Sequence, residues 1–238
     1  MELRTRARAA PLLIVWGAWL AVMTGANLAA PLYAVYARTF GFSSLVLTAI
    51  FATYALVLAP TLLLFGRLSD RVGRRPVLLA GLACAGGGLV LFAAADGTAW
   101  LFAARALQGL AVGMIGGPAT AALVEFDDGG SGQRPAMLAG LAQSGGSGAG
   151  PLIAGLLAQW GPDPLRFPFL LMLAVTVLAG VAILAVPEPA GGAAHEPWRV
   201  QWPRVPREIR GAFARVSLSA ATLWASAALF LSIVPSYA

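Results

Sequence analysis

The chain contains no lysine, a single histidine (His195) and a single cysteine (Cys84). A retinal-type Schiff base requires a lysine amine, so that chemistry is excluded. One thiol, placed in an apolar run, supports neither a disulfide framework nor a thiolate metal cluster. Charge is also scarce: 11% of the 238 residues are charged, against about 25% in soluble domains. There is no Walker-type glycine loop with its lysine, so ATP does not drive anything here. The apolar runs hold no nucleophile–base pair and no set of metal ligands, and His195 lies outside them beside Glu196. The chain therefore reads as a non-enzyme that needs no cofactor.

What is present is apolar. Hydrophobic residues make up 59% of the chain and the mean hydropathy is +0.79. Apolar runs of about eighteen residues or more recur along it, each long enough to cross a bilayer. These features predict an all-α integral membrane bundle with lipid as its solvent. The expected spans are about Pro11 to Tyr33, Ser44 to Phe65, Val77 to Ala95, Trp100 to Val124, Pro135 to Trp160 and Phe167 to Val186. A seventh starts near Phe213 or Val216. Residues 1–187 form a six-helix unit, 188–212 a basic linker, and 213–238 the seventh helix.

All sixteen basic residues are arginines, and the sequence pI is near 10.7. Nucleic acid would suit such a pI, but the arginines gather on one side of the spans. Arg4, Arg6 and Arg8 precede the first span. Arg67, Arg71, Arg74 and Arg75 lie between the second and third, Arg134 lies before the fifth, and Arg199, Arg204, Arg207, Arg210 and Arg215 follow the sixth. Only Arg38, in a short turn after the first span, and Arg166 fall on the other side. Arginine stays on the cytoplasmic side, so the N-terminus is expected in the cytoplasm of a multi-pass plasma-membrane protein. A receptor of the usual seven-helix kind has its N-terminus outside, which argues against that class.

The most charged turn is Gly66 to Pro76, GRLSDRVGRRP, expected as a loop at the membrane surface. Gly66 and Gly73 permit tight turns there, and Asp70 is a candidate helix cap. One arginine, Arg105, falls inside a span, where a charge costs up to about 2.5–3.5 kcal/mol and must face protein or water. Gly109, Gly113, Gly117 and Ala121 follow it at four-residue intervals, one small-residue stripe on a helix, and Gln108 is one turn away. Two readings stand for Arg105: a structural arginine bonded to neighbouring carbonyls, or a participant in a transport cycle. The fifth span carries a similar stripe, Ala142, Gly146, Gly150, Ala154 and Ala158, with Pro151 removing a backbone donor so that the helix can bend. Trp19 followed by Pro31-Leu32-Tyr33-Ala34 is echoed by Trp224 followed by Pro235-Ser236-Tyr237-Ala238. Six spans, a basic linker and a restart predict the first half of a two-half transporter, with the second half absent.

These residues together resemble the N-terminal half of a major facilitator superfamily transporter. Gly66-Arg67-Leu68-Ser69-Asp70-Arg71-Val72-Gly73-Arg74-Arg75-Pro76 is similar to the family's signature between its second and third helices. Leu101, Arg105, Gln108 and Gly109 resemble the fourth-helix signature, and Gly146, Gly150, Pro151 and Gly155 the fifth-helix motif of drug–proton antiporters, with Ala154 where a glycine is usual.

The resemblance implies alternating access by two rocking halves. It implies a conformational lock of Gly66, Asp70, Arg71, Gly73, Arg74 and Arg75, in which Asp70 meets the second half and Arg74 pairs with an acid, for which Glu125 is the candidate. It further implies proton coupling through Arg105 and Gln108, and a hinge at Gly146, Gly150, Pro151 and Gly155. Asn27, Tyr33, Tyr54 and Gln143 are candidates to line a substrate cavity, interhelical hydrogen bonding being the alternative for each. The expected partners are a small-molecule substrate, protons as coupling ion, the lipid bilayer and a second half. The first span lacks the carboxylate often found there in proton-coupled pumps. An uptake carrier or facilitator, or an inactive fragment, therefore stands beside drug or metabolite efflux.

Overall fold

The computed structural model describes residues 2–127, 129–130, 132–188 and 206–233. Most of the basic linker with His195, and the C-terminal Pro235–Ala238 echo, lie outside them. The elements are α1 (Glu2–Asn27), a 3-10 turn (Ala30–Leu32), α2 (Tyr33–Phe40), α3 (Ser44–Val72), α4 (Arg74–Ala93), α5 (Thr98–Glu125), α6 (Gln133–Trp160) and α7 (Phe167–Leu184). A second 3-10 turn (Arg207–Ile209) then leads into α8 (Arg210–Ile233). No strand occurs among the described residues. Helix is the necessary solution for such apolar segments, because it satisfies every backbone polar group internally. The chain divides into two units, Met1–His195 and Glu196–Ala238. The first is the α1–α7 bundle; in the second, α8 packs on its own 3-10 turn.

Among the described residues, five helices or helix pairs are long and apolar enough to cross a membrane: Ala10–Phe40, Ser44–Phe65, Arg74–Ala93, Thr98–Glu125 and Phe167–Leu184. The fifth expected span is a 28-residue helix, α6, but its glycines, serines and glutamines keep it below that apolarity. α8, which opens on Arg210 and Arg215, is also not among the five.

Two boundaries differ from expectation. The first span does not end at Tyr33. Pro31 lacks the N–H that an α-helix would need, so the chain takes a 3-10 step and resumes as α2, which carries Arg38 in its last turn instead of in a loop. Gly41, at φ 67°, then stops α2 by donating its N–H to the Ala37 carbonyl at 2.9 Å. The expected loop Gly66–Pro76 is mostly helix: α3 runs on to Val72 and α4 begins at Arg74. Gly73 alone breaks the two, at φ 104°, ψ 155°, a conformation that disfavours a side chain.

In the first unit α5 packs against α1, α3, α4 and α6, while α1 touches α4, α5, α6 and α7. The core has two layers. Toward the end that holds the α3–α4 junction it is aliphatic, from Leu12, Val15, Val22, Leu78, Leu82, Ile115, Leu123 and Ile183. Toward the other end it is aromatic, with Tyr33, Tyr36, Phe92 and Phe169 buried; the Phe92 and Phe169 rings stack 5.1 Å apart. The apolar window of α3 is only 11% buried, and Leu45, Leu56 and Leu63 point outward.

Candidate functional site

The predicted site residues fall into three groups. At the α3–α4 junction, α3 carries Asp70 one helical turn before Arg74, and the end of α5 brings Glu125 alongside. Arg74 donates from Nη1 to the Asp70 carboxylate and to Ser69 Oγ (3.0 Å), and from Nη2 to Glu125 Oε1 (3.0 Å). The Arg74 side chain is 14% exposed, Glu125 29% and Asp70 56%. Arg71 and Arg75 are half-buried beside them, and of Gly66 only the helical backbone is described. Asp70 does not cap α4, the helix that follows it. It lies within α3, and the residue in the cap position is Gly73, which has no side chain to offer. The donors at the start of α4 go instead to Glu188, just past α7: the backbone N–H of Arg74 reaches Oε1, and that of Arg75 lies 3.3 Å from both carboxylate oxygens.

The second group is built on Arg105, about two turns into α5 and 4% exposed. Its Nε donates to the Tyr33 hydroxyl at 2.5 Å, and its Nη1 to the Ala26 carbonyl at 2.9 Å and Gln108 Oε1 at 3.1 Å. Gln108 in turn donates to the Gly25 carbonyl at 3.1 Å. The guanidinium carbon stands 4.9 Å from the Phe51 ring centroid, 5.2 Å from that of Tyr33 and 5.7 Å from that of Tyr54. Negative ring faces favour a cation at such distances. No carboxylate pairs with Arg105 among the described residues. Gly25 and Ala26 stand at the end of α1, before the Pro31 step, where the last carbonyls of a helix lack intrahelical partners; that of Gly25 also accepts from the Leu28 N–H at 3.3 Å.

Tyr33 was a cavity candidate, but it is 1% exposed and engaged with Arg105. Tyr54 is half-buried at the same cation. Asn27 is half-buried and bonded to the Met23 carbonyl at 2.9 Å, and Gln143 is half-buried on α6.

The third group is the α6 stripe. A Cβ at Gly146 would lie 2.5 Å from Met23 Cβ and 2.9 Å from the Leu20 carbonyl; one at Gly150 would lie 2.5 Å from the Thr24 carbonyl. These two glycines let α6 press directly on the α1 backbone. Trp16 on α1 also donates its indole N–H to the Leu138 carbonyl at 3.0 Å. Gly155 does not share the contact: a Cβ there would meet nothing within 4 Å. α6 stays helical through Pro151. On α5, Gly109 and Gly113 press on α3 at Tyr54, Val57 and Thr61, but Gly117 is exposed, so the stripe closes only along its first half.

Sequence reasoning missed two residues. Tyr36 donates its hydroxyl to the Phe92 carbonyl at 2.9 Å and ties α2 to the end of α4; its spacing of three from Tyr33 was the available signal. Glu188 had no local signal, since its partners are more than a hundred residues away.

A family model described as Major Facilitator Superfamily matches residues 15–238. The tetracycline resistance protein, class C, of Escherichia coli is 37% identical over 139 residues, which is 58% of this chain and 33% of that protein. The puromycin resistance protein pur8 of Streptomyces alboniger is 34% identical over 113 residues, 47% of this chain and 22% of that protein. The chain thus spans about a third or less of the length of these curated relatives. Among solved structures, peptide transporter POT in complex with sulfate superposes with a TM-score of 0.62 at 18% identity, over 94% of this chain and 46% of that one, a likeness of fold. Matched by the family model over nearly its whole length and folded as an all-helical bundle, the chain belongs to the Major Facilitator Superfamily of membrane transporters.

Proposed function

We propose that this chain serves a secondary transporter that exports drugs or related small metabolites by alternating access, with protons as the coupling ion. The observation that carries the reading is the Arg74 network, in which one guanidinium bridges Asp70 on α3 and Glu125 on α5, in a chain similar to tetracycline and puromycin resistance proteins. The Arg74–Asp70 pair opens to solvent through Asp70, and pairs open in this way are worth about 0–1 kcal/mol, while the Arg74–Glu125 pair is partly buried. They can be made and broken once per cycle, as a lock requires. Residues 1–187 would form one half, 188–212 the basic linker and 213–238 the start of a second half. The arginine bias supports an N-terminus and an α3–α4 junction in the cytoplasm, and in this reading the carrier sits in the plasma membrane.

Arg105 acts in this reading as a fixed positive charge, not as the carrier of the proton. The acids of α1–α7 that the structure describes stand at helix ends, so protonation occurs elsewhere against its field. Gly146 and Gly150 form the seal and hinge of α6 on α1.

The test is accumulation of tetracycline and puromycin in sensitive bacteria expressing the chain together with the second half of its transporter, with and without collapse of the proton gradient. Reduced accumulation that returns to control when the gradient is collapsed is the expected result. Raised accumulation would mean an uptake carrier, no change for either drug would sink the efflux reading, and reduction insensitive to the gradient would sink proton coupling.

A further inference from the structure

We propose that Glu188 is a clamp on the α3–α4 junction, a positioning residue that holds the start of α4 against the end of α7. The first donors of a helix have no intrahelical partners and need an outside acceptor. At α4 the residue in the cap position is Gly73, and Asp70 is occupied by the Arg74 side chain. The carboxylate of Glu188 takes the place of a cap, accepting from the backbone N–H groups of Arg74 and Arg75. A negative group at a helix N-terminus also gains from the helix dipole.

Gly73 is shaped to admit it. A Cβ at Gly73 would lie 2.5 Å from Glu188 Oε1 and 2.9 Å from its carboxyl carbon. The missing side chain is thus the space the carboxylate fills, in addition to the φ of 104°. Arg74 is consequently held from three directions: its side chain by acids of α3 and α5, its backbone by the acid that follows α7. Movement of the junction relative to α7 has to break the Glu188 bonds, and so is felt by the segment that leaves α7 toward the linker.

The inference rests on the lock reading for its consequence, but the clamp is measured without transport. Amide hydrogen exchange is followed on the whole chain in lipid nanodiscs for the parent, Glu188→Ala, Glu188→Gln and, as control, Glu208→Ala. Glu188→Ala should speed exchange at the amides of Arg74 and Arg75 about tenfold or more and leave the rest of α4 and α5 unchanged. Glu188→Gln keeps an acceptor and loses the charge, so its effect should be intermediate. Gly73→Ala should reproduce the local acceleration with Glu188 present, because the methyl displaces the carboxylate. Unchanged exchange at these two amides in Glu188→Ala overturns the clamp. So does acceleration spread evenly along α4, which marks general loosening. A transporter, assembled from this chain and its second half, that exports neither drug while the chain shows the local acceleration loses the proposed function and retains the clamp.

Discussion

Arg105, buried two turns into α5, is bonded to a tyrosine hydroxyl, a glutamine and a backbone carbonyl and is ringed by three aromatic faces. Arg74, at the end of the bundle, is bonded to two carboxylates and a serine, with part of the network open to solvent. The same guanidinium is held by neutral dipoles in the first place and by full charges in the second. Inside the apolar layer a partner that can protonate or leave would strand an unpaired charge, at several kcal/mol. Neutral partners make Arg105 a permanent fixture. At the water interface the ions are screened and their pairing is weak, so Arg74 can change partners. One site sets a constant field and the other can switch.

The largest expected effect comes from removing the fixture. Arg105→Ala should abolish drug export and destabilise the chain in lipid by a few kcal/mol. Each of the three hydrogen bonds lost is worth about 1.5–3 kcal/mol, and relief of the cost of a charge in the membrane, about 2.5–3.5 kcal/mol, offsets part of that loss. Full export by this variant would reduce Arg105 to a packing residue. Arg105→Lys should also fail, because a single ammonium cannot reproduce the Nε and Nη1 geometry shared among Tyr33, Ala26 and Gln108.

Next in size is Asp70→Asn. Export should fall severalfold with a melting temperature close to the parent's, since Asp70 is exposed; unchanged export would remove Asp70 from the lock. Smaller again is Tyr33→Phe, which keeps the ring over Arg105 and deletes one hydrogen bond. About 1 kcal/mol of stability should be lost, read from unfolding in lipid–detergent mixtures. The smallest effect separates the two arginines without mutation. Raising salt from about 0.15 M to 1 M shortens the screening length from about 8 to 3 Å. Amide exchange at the α3–α4 junction should rise modestly while exchange around Arg105 stays constant. Equal sensitivity at both sites would erase the contrast drawn between them.

Much of the bundle was legible in the amino-acid order. The third and fourth spans, expected at Val77–Ala95 and Trp100–Val124, fall within a few residues of α4 and α5, because the length of an apolar run is a local property. The continuation of α3 to Val72 was not, since a glycine- and arginine-rich segment reads as a loop until it is seen that only Gly73 leaves the helical conformation. The arginine within the fourth span announced itself by its cost, but its partners Tyr33 and Ala26 lie more than seventy residues away. The α6 stripe announced a close approach, and its spacing could not say that Gly146 and Gly150 meet α1 while Gly155 meets nothing.

Composition and order alone determined that lipid is the solvent, that helices are the answer to it, that arginine marks one face, and that the motifs resemble those of a transporter family. These follow from run lengths and residue types, which need no third dimension. Only the tertiary structure decided that Arg105 rests on neutral groups, that Tyr33 is buried as its partner, and that Glu188 closes the start of α4. A hydrogen bond depends on two atoms coming within about 3 Å of each other, and helix packing brings together residues that the chain keeps far apart.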